Sequence, residues 1–258
     1  ITTLDPVILA TPLWQHYEQA KILLERGHDL YVEKPLAETA PQVADLTSYS
    51  KPGQILMVGH LFVHHPQQAE IKQYINDDWI GDLQHITSRR LNWGIYQTKT
   101  DPLLSLAVHD ISIVQRFVTE RMTVDYAQGF NLSKNPQHDR VVFGGQAGKV
   151  TYDIDVSWCW PIRTRETIFI GSKGQIIWDQ DANTIKITKN KISQNKAVAD
   201  TKPITINYGY EHTPLVTEIK HFVDCVTHRT APLTNFHQSL QVALVIDQVR
   251  HKAQQNNF

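Results

Sequence analysis

Tyr31-Val32-Glu33-Lys34-Pro35-Leu36 decides how the chain reads. Asp29-Leu30-Tyr31-Val32 is a short apolar run that reads as a strand. It delivers a lysine at its end, and Pro35 stops it. A charge just beyond a buried strand either reaches solvent or faces a cleft. Upstream, Pro6-Val7-Ile8-Leu9-Ala10 reads as a strand covered on both faces and closed by Thr11-Pro12. Trp14 to Gly27 follows as a helix, with Tyr17, Ala20, Leu23 and Leu24 at helical spacing and Gly27 as the terminating residue. Downstream come a helix near Pro41–Tyr49 and a strand at Ile55–Gly59. Residues 1–60 therefore read β-α-β-α-β, a parallel doubly wound unit. Ligands bind at the carboxyl ends of such strands, which is where Lys34 stands.

Beyond Gly59 the pattern changes. Gln67–Asn76 reads as a helix, Trp79–Asp82 as a turn, Leu83–Trp93 as an alternating strand and Leu103–Thr119 as one long helix. Strand-like runs follow at Thr123–Leu132, Val141–Gln146, Val150–Trp160, Glu166–Ile170, Gln175–Asp179 and Thr184–Lys189. Gly144-Gly145, Ala147-Gly148 and Gly171-Ser172-Lys173-Gly174 read as hairpin punctuation between them. Lys189–Pro203 is polar and reads as an exposed loop, and helices at Pro214–Thr227 and Gln238–Gln254 close the chain. The expected fold is α/β plus α+β. Residues 61–258 form a domain with a large, mostly antiparallel sheet covered by helices on one face. Along Val150–Trp160, Thr151, Asp153, Asp155 and Ser157 line the other face. A half-polar second face of that size suits a homo-oligomer contact.

The 258 residues are 41% hydrophobic with a formal net charge of -1. This leaves no basic footprint for nucleic acid. No apolar run approaches the ~20 residues of a membrane span, and no signal peptide is legible. Two widely separated cysteines, Cys159 and Cys225, argue against a disulfide scaffold and fit a reducing compartment, so a cytoplasmic protein is expected.

Lys34 is the first candidate for chemistry, because partial burial brings a lysine amine toward working pH. His109 is the second. Leu106 and Ile113 flank it at helical spacing, which suits a core imidazole. Ser105 lies four residues before it, which on a regular helix puts a hydroxyl and an imidazole on one face, suited to substrate contact. Arg90, Asn92 and Arg163 suit either a solvated strand face or an anionic group of a substrate. His60, His64 and His65 lack a nearby cysteine or a well-spaced carboxylate, so no metal is expected. Trp158, Trp160 and Trp178 read as core or interface aromatics.

Ala10-Thr11-Pro12, His16, Glu33-Lys34-Pro35-Leu36 and Val58-Gly59-His60 together resemble the glucose–fructose oxidoreductase/inositol dehydrogenase/MocA family. Ile80-Gly81-Asp82, Arg90–Gly94, His109-Asp110, Ser157-Trp158, Gly171–Gly174 and Glu218–Phe222 extend the resemblance to the end of the chain. The pattern is most similar to the bacterial branch associated with sugar-nucleotide metabolism. The resemblance implies an NAD- or NADP-dependent dehydrogenase of a sugar, sugar-nucleotide or cyclitol hydroxyl. It implies Lys34 and His109 as the catalytic pair, Thr11, Pro12, His16, Glu33 and Lys34 at the cofactor, and Lys34, Arg90, Asn92, Ser105, His109 and Arg163 at the substrate. Two positions depart from the pattern: Ser105 stands where the family usually has Asp, and Leu13 where Asn is common. The resemblance also implies roughly 70 further residues before Ile1, carrying the first strand, the glycine-rich turn and the acidic ribose residue. The chain is thus expected to be part of a longer protein. The other expectation is a non-catalytic or truncated paralogue that binds sugar or regulates.

Overall fold

The computed structural model describes residues 5–94, 100–133, 138–193, 196–199, 202–209 and 213–255. Strands β1 (Val7–Leu9), β2 (Leu30–Glu33) and β3 (Leu56–Gly59) form a parallel sheet in that order. Helix α1 (Leu13–Arg26) joins the first two strands. It ends on Gly27 at φ 93°, whose N–H bonds back to Leu23 and Leu24. Helix α2 (Ala40–Leu46) joins the next two and starts on the side-chain cap of Thr39. Leu24, Leu30, Val32, Val43, Leu46 and Val58 bury the helix-covered face.

A short 3₁₀ turn (Leu61–His64) and helix α3 (Pro66–Asn76) lead into β4 (Leu83–Trp93). The next segment is not one continuous helix. Leu103–Ala107 forms a π turn, and helix α4 runs only from Val108 to Phe117. The remaining strands are β5 (Met122–Phe130), β6 (Arg140–Ala147), β7 (Val150–Ser157), β8 (Cys159–Gly171), β9 (Gly174–Asp179), β10 (Thr184–Ser193), β11 (Lys196–Ala199) and β12 (Ile204–Asn207). Among the described residues the second sheet has nine strands, ordered β11-β10-β9-β8-β4-β7-β6-β5, with β12 also on β10. It is antiparallel except for β4 and β7, which run parallel.

Three strand expectations need correction. Val150–Trp160 is not one strand. Ser157 and Trp158 are buried in succession, which breaks the two-residue alternation, and β8 starts at Cys159. Gly144-Gly145 is not a turn but lies inside β6, beside a bulge of β5 between Val124 and Tyr126. A Cβ on Gly145 would come within 1.9 Å of the Thr123 carbonyl oxygen, so glycine is required for that approach. The expected loop over Lys189–Pro203 instead contains the β10–β11 hairpin, and β12 was not legible. The strands are only four residues long, β12 alternating as Ile204-Thr205-Ile206-Asn207 but too short to stand out, and it is the edge of β10 that recruits them.

Helices α3 and α4, with α6 (Phe236–Gln255), cover one face of the large sheet, where Ile71, Val114, Phe143, Ile154, Trp178 and Val249 share a core. Helix α5 (Pro214–His228) returns to the small sheet. Its Phe222 and Cys225 pack against Tyr31, Ile55 and Met57 on the face opposite α1 and α2. Ala243 of α6 joins the core of the first unit. The two sheets are therefore fixed to each other, and a cleft lies between them.

Candidate active site

The loops leaving β1 and β2 form one wall of a cleft of about 650 Å³. This wall carries Thr11, Pro12, Trp14, His16, Glu33, Lys34 and Pro35. The opposite wall carries Leu104, Ser105 and Leu106 of the π turn, Asn92 and Trp93 from the end of β4, and Trp158. A π turn is uncommon in regular helices and recurs at functional sites.

Lys34 spans the two walls: its Nζ donates to the Ser105 carbonyl oxygen at 2.8 Å. Burial lowers the pKa of its amine, opposed by the Glu33 charge and assisted by Arg90, and brings it to about 8. The Lys34–Pro35 bond, whose isomer could not be read from sequence, is cis. Glu33 accepts from the Lys34 backbone N–H at 3.3 Å. His16 lines the cleft, but both its ring nitrogens face backbone: Nδ1 is 2.8 Å from the Pro35 oxygen and Nε2 is 2.7 Å from the Thr11 oxygen. The imidazole thus clamps the two strand-end loops together. The Thr11 hydroxyl donates to Gln19 at 2.7 Å.

Ser105 serves the site through its backbone as much as its side chain. Its hydroxyl accepts from the Trp158 indole at 3.1 Å while its carbonyl holds Lys34. The π turn moves Ser105 out of the one-turn stacking with His109 that a regular helix would give. Ser105 lines the cleft, whereas His109 lies behind the wall. The His109 ring packs edge-on against Phe62 at 5.0 Å, and its buried Nδ1 has no hydrogen-bond partner among the described residues. Burial, then the charges of Lys34 and Arg90, hold its pKa well below the usual histidine value, so the ring is neutral.

Two expected substrate contacts are placed elsewhere. Arg90 is buried and stacks over Phe62 at 4.3 Å. Its Nε donates to Asp110 Oδ2 at 2.8 Å, and its Nη2 donates to Asp110 Oδ1 at 3.2 Å and Gln180 at 3.1 Å. Residue 90 falls on the inward phase of β4 with Ile86 and Ser88, so its guanidinium meets α4 rather than the cleft. Arg163 is exposed and pairs with Asp181 at 2.9 Å, away from the cleft wall. Asn92 does line the cleft, and its Oδ1 is buried with no partner among the described residues. Trp158 was read as a core aromatic and is also a wall of the site. Asp110 was missed as the partner of Arg90, although its place directly after His109 was visible.

The three histidines of the His60–His65 segment go to different surroundings. His60 is buried with both nitrogens unpartnered among the described residues, and burial, then Lys34 and His64, lowers its pKa to about 3. His64 faces Thr234 at 3.3 Å. His65 caps α3 and packs on Trp178 at 5.2 Å. Among the described residues no group of three or more side chains could hold a metal ion, and no helix is long and apolar enough to cross a membrane.

Residues 72–257 match the family model described as "Oxidoreductase family, C-terminal alpha/beta domain". The chain belongs to this family, that of glucose–fructose oxidoreductase, inositol dehydrogenase and MocA. It is 26% identical over 160 residues to inositol 2-dehydrogenase 1 of Saccharopolyspora erythraea, covering 59% of this chain and 48% of that protein. It is 30% identical over 81 residues to dTDP-3,4-didehydro-2,6-dideoxy-alpha-D-glucose 3-reductase of Actinomadura kijaniata, covering 31% of this chain and 24% of that one. The matched stretch thus spans about half of the first relative and a quarter of the second. A solved levoglucosan dehydrogenase in complex with NADH and levoglucosan shares the fold, with a TM-score of 0.82 at 18% identity over 96% of this chain and 78% of that one.

Proposed function

We propose that the whole protein is an NAD- or NADP-dependent oxidoreductase. It would move a hydride between a hydroxyl-bearing carbon of a sugar, sugar-nucleotide or cyclitol and nicotinamide. The observation behind this reading is Lys34: a half-buried amine of pKa about 8 at the carboxyl end of a parallel strand, reaching across a cleft. Thr11, Pro12, Glu33 and Lys34 fit the nicotinamide–ribose end of such a cofactor, because they line the strand ends where dinucleotides lie. No Gly-x-Gly-x-x-Gly occurs in these residues, so a pyrophosphate cradle of that kind is not among them. Bound nicotinamide supplies the hydride acceptor or donor. Neutral Lys34 takes the hydroxyl proton; the resemblance implies neutral His109 as its companion base, acting from behind the wall that Ser105 and Asn92 line. Ser105 in place of the family's Asp keeps the non-catalytic sugar-binding reading open. Calorimetry on the full-length protein decides between them, since absence of nicotinamide binding overturns the dehydrogenase reading.

The pH dependence follows in sign. The proton-accepting form of Lys34 is the neutral amine, so kcat/KM for hydroxyl oxidation rises with pH and levels off above about 8. The reverse reduction needs the ammonium and falls through the same range. A stopped-flow pH profile in both directions checks this, and a flat oxidation profile between pH 6 and 9 removes Lys34 from the proton step.

In this reading residues 1–60 supply the dinucleotide side and residues 61–258 the substrate side, with α5 reaching back beneath the small sheet. The uncovered face of the large sheet is the proposed homo-oligomer contact. Tyr126 and Phe130 are exposed there, and Arg140 stacks on Phe130 and Trp160 while pairing with Asp155. Sedimentation analysis is expected to give an oligomer that Tyr126→Glu dissociates, whereas a wild-type monomer counts against it. The two distant cysteines suit a cytoplasmic setting.

A further inference from the structure

Behind the cleft lies a buried acidic group that the proposed chemistry does not use. Glu218 of α5 is 1% exposed, and neither of its oxygens has a hydrogen bond of normal geometry among the described residues. A buried carboxylate left in that condition is costly, because it forfeits its hydration without replacement. The groups facing it are few. From β2 come the Tyr31 hydroxyl and the Glu33 carboxylate, with Lys34 beyond them. From the 3₁₀ turn comes His64, whose Nε2 is 3.9 Å from Glu218 Oε1 and 3.3 Å from the Thr234 hydroxyl. From α5 itself comes His221, tilted against His64 at 5.2 Å. Burial, then His221 and Arg116, lower the pKa of His64 to about 4, so it is neutral and gives Glu218 no cation.

Tyr31 is 1% exposed, and its hydroxyl stands between the two carboxyl groups, 3.5 Å from Glu33 Oε1. Room for it exists only because residue 59 is glycine. A Cβ there would come within 2.6 Å of the Tyr31 hydroxyl oxygen and 3.3 Å of Glu33 Oε2. A tyrosine hydroxyl has one proton to donate and lone pairs to accept with. If Glu218 carries a proton, it donates to Tyr31 and Tyr31 donates to Glu33; one orphaned oxygen then has a partner, and the other is a neutral carbonyl oxygen whose burial costs far less than that of a carboxylate. We propose that Glu33 and Glu218 share one proton through the Tyr31 hydroxyl, with Glu218 as the protonated member. A single negative charge is then held on the cleft side of the pair, beside Lys34. Burial raises the Glu218 carboxyl to about 8, Tyr31 opposing and the Glu33 charge adding to the rise, in keeping with a Glu218 that stays protonated at neutral pH. The Tyr31 hydroxyl is pushed upward by burial and then by both acids, so it stays protonated and serves as a bridge.

The pair makes Glu218 a positioning residue. It fixes the charge of Glu33, which in turn holds up the pKa of Lys34 against burial. That consequence rests on the dehydrogenase reading. The proton on Glu218 does not, and it is read without cofactor or substrate. Infrared difference spectroscopy of the full-length protein is expected to show the C=O stretch of a protonated carboxyl group at neutral pH. The band is absent in Glu218→Gln and titrates away with a midpoint near pH 8 in the wild type. Glu33→Gln removes the neighbouring charge and shifts that midpoint downward, and Tyr31→Phe changes the band frequency by removing its acceptor. If Glu218→Gln does not fold, the wild-type titration and the Glu33→Gln shift still read the pair. A neutral-pH spectrum without the band overturns the proposal, as does a midpoint that Glu33→Gln leaves in place.

Discussion

Lys34→Ala is expected to lower kcat for hydride transfer by roughly 100- to 10,000-fold, the range that positioned acid–base groups contribute. KM is expected to move far less, because the rest of the cleft wall stays in place. Folding should not account for the loss. The lysine amine is a desolvated base whose pKa is depressed in the folded protein, so its removal takes away an unfavourable burial together with one hydrogen bond to Ser105. Thermal denaturation of wild type and variant separates the two effects. Undiminished turnover with Lys34→Ala removes the residue from the chemistry. Lys34→Arg is a useful companion, since it keeps a cation but cannot release its proton near neutral pH.

Arg90→Met is expected to cost about 3–5 kcal/mol of stability, because it leaves Asp110 buried without its cation. Asp110 is fully buried, and besides Arg90 it accepts only from the Ser88 hydroxyl, at 2.7 Å, among the described bonds. Replacing both partners with apolar residues, as in Arg90→Met with Asp110→Leu, should recover most of the loss, since no uncompensated charge then remains. Denaturant unfolding of the two variants tests this. A single variant within about 1 kcal/mol of wild type means that water reaches Asp110 and that the pair does not hold α4 in place. Activity provides a second measure, because Asp110 follows His109 directly and Arg90 lies within electrostatic reach of that imidazole.

Both cases bear on how much of the site was legible. Lys34 could be found because an apolar strand, a charge and a proline leave few places for the lysine to go. Arg90 could not be assigned from its residue type. A guanidinium fits a substrate anion and a buried carboxylate equally well, and only the phase of β4 against α4 distinguishes them. The spacing of Ser105 and His109 suggested a shared helix face, but the π turn changes the local winding and puts one on the cleft wall and the other behind it. His16 falls in the expected helix and lines the cleft, but its nitrogens face the backbone of the loops leaving two strands, a contact that no local pattern shows.

By itself the sequence determined the alternation of strands and helices in residues 1–60, the extent of β4 at Leu83–Trp93, the positions of α1, α5 and α6 and the strand-end lysine. These rest on local periodicity and chain-stopping residues, which act over a few neighbours. Only the tertiary structure decided that β4 pairs parallel with β7, that α5 returns to Tyr31 and Met57, and that Glu218 meets Glu33 across the Tyr31 hydroxyl. Those pairings join residues up to about two hundred positions apart. Their partners are chosen by which faces must be buried together, and no local pattern records that choice.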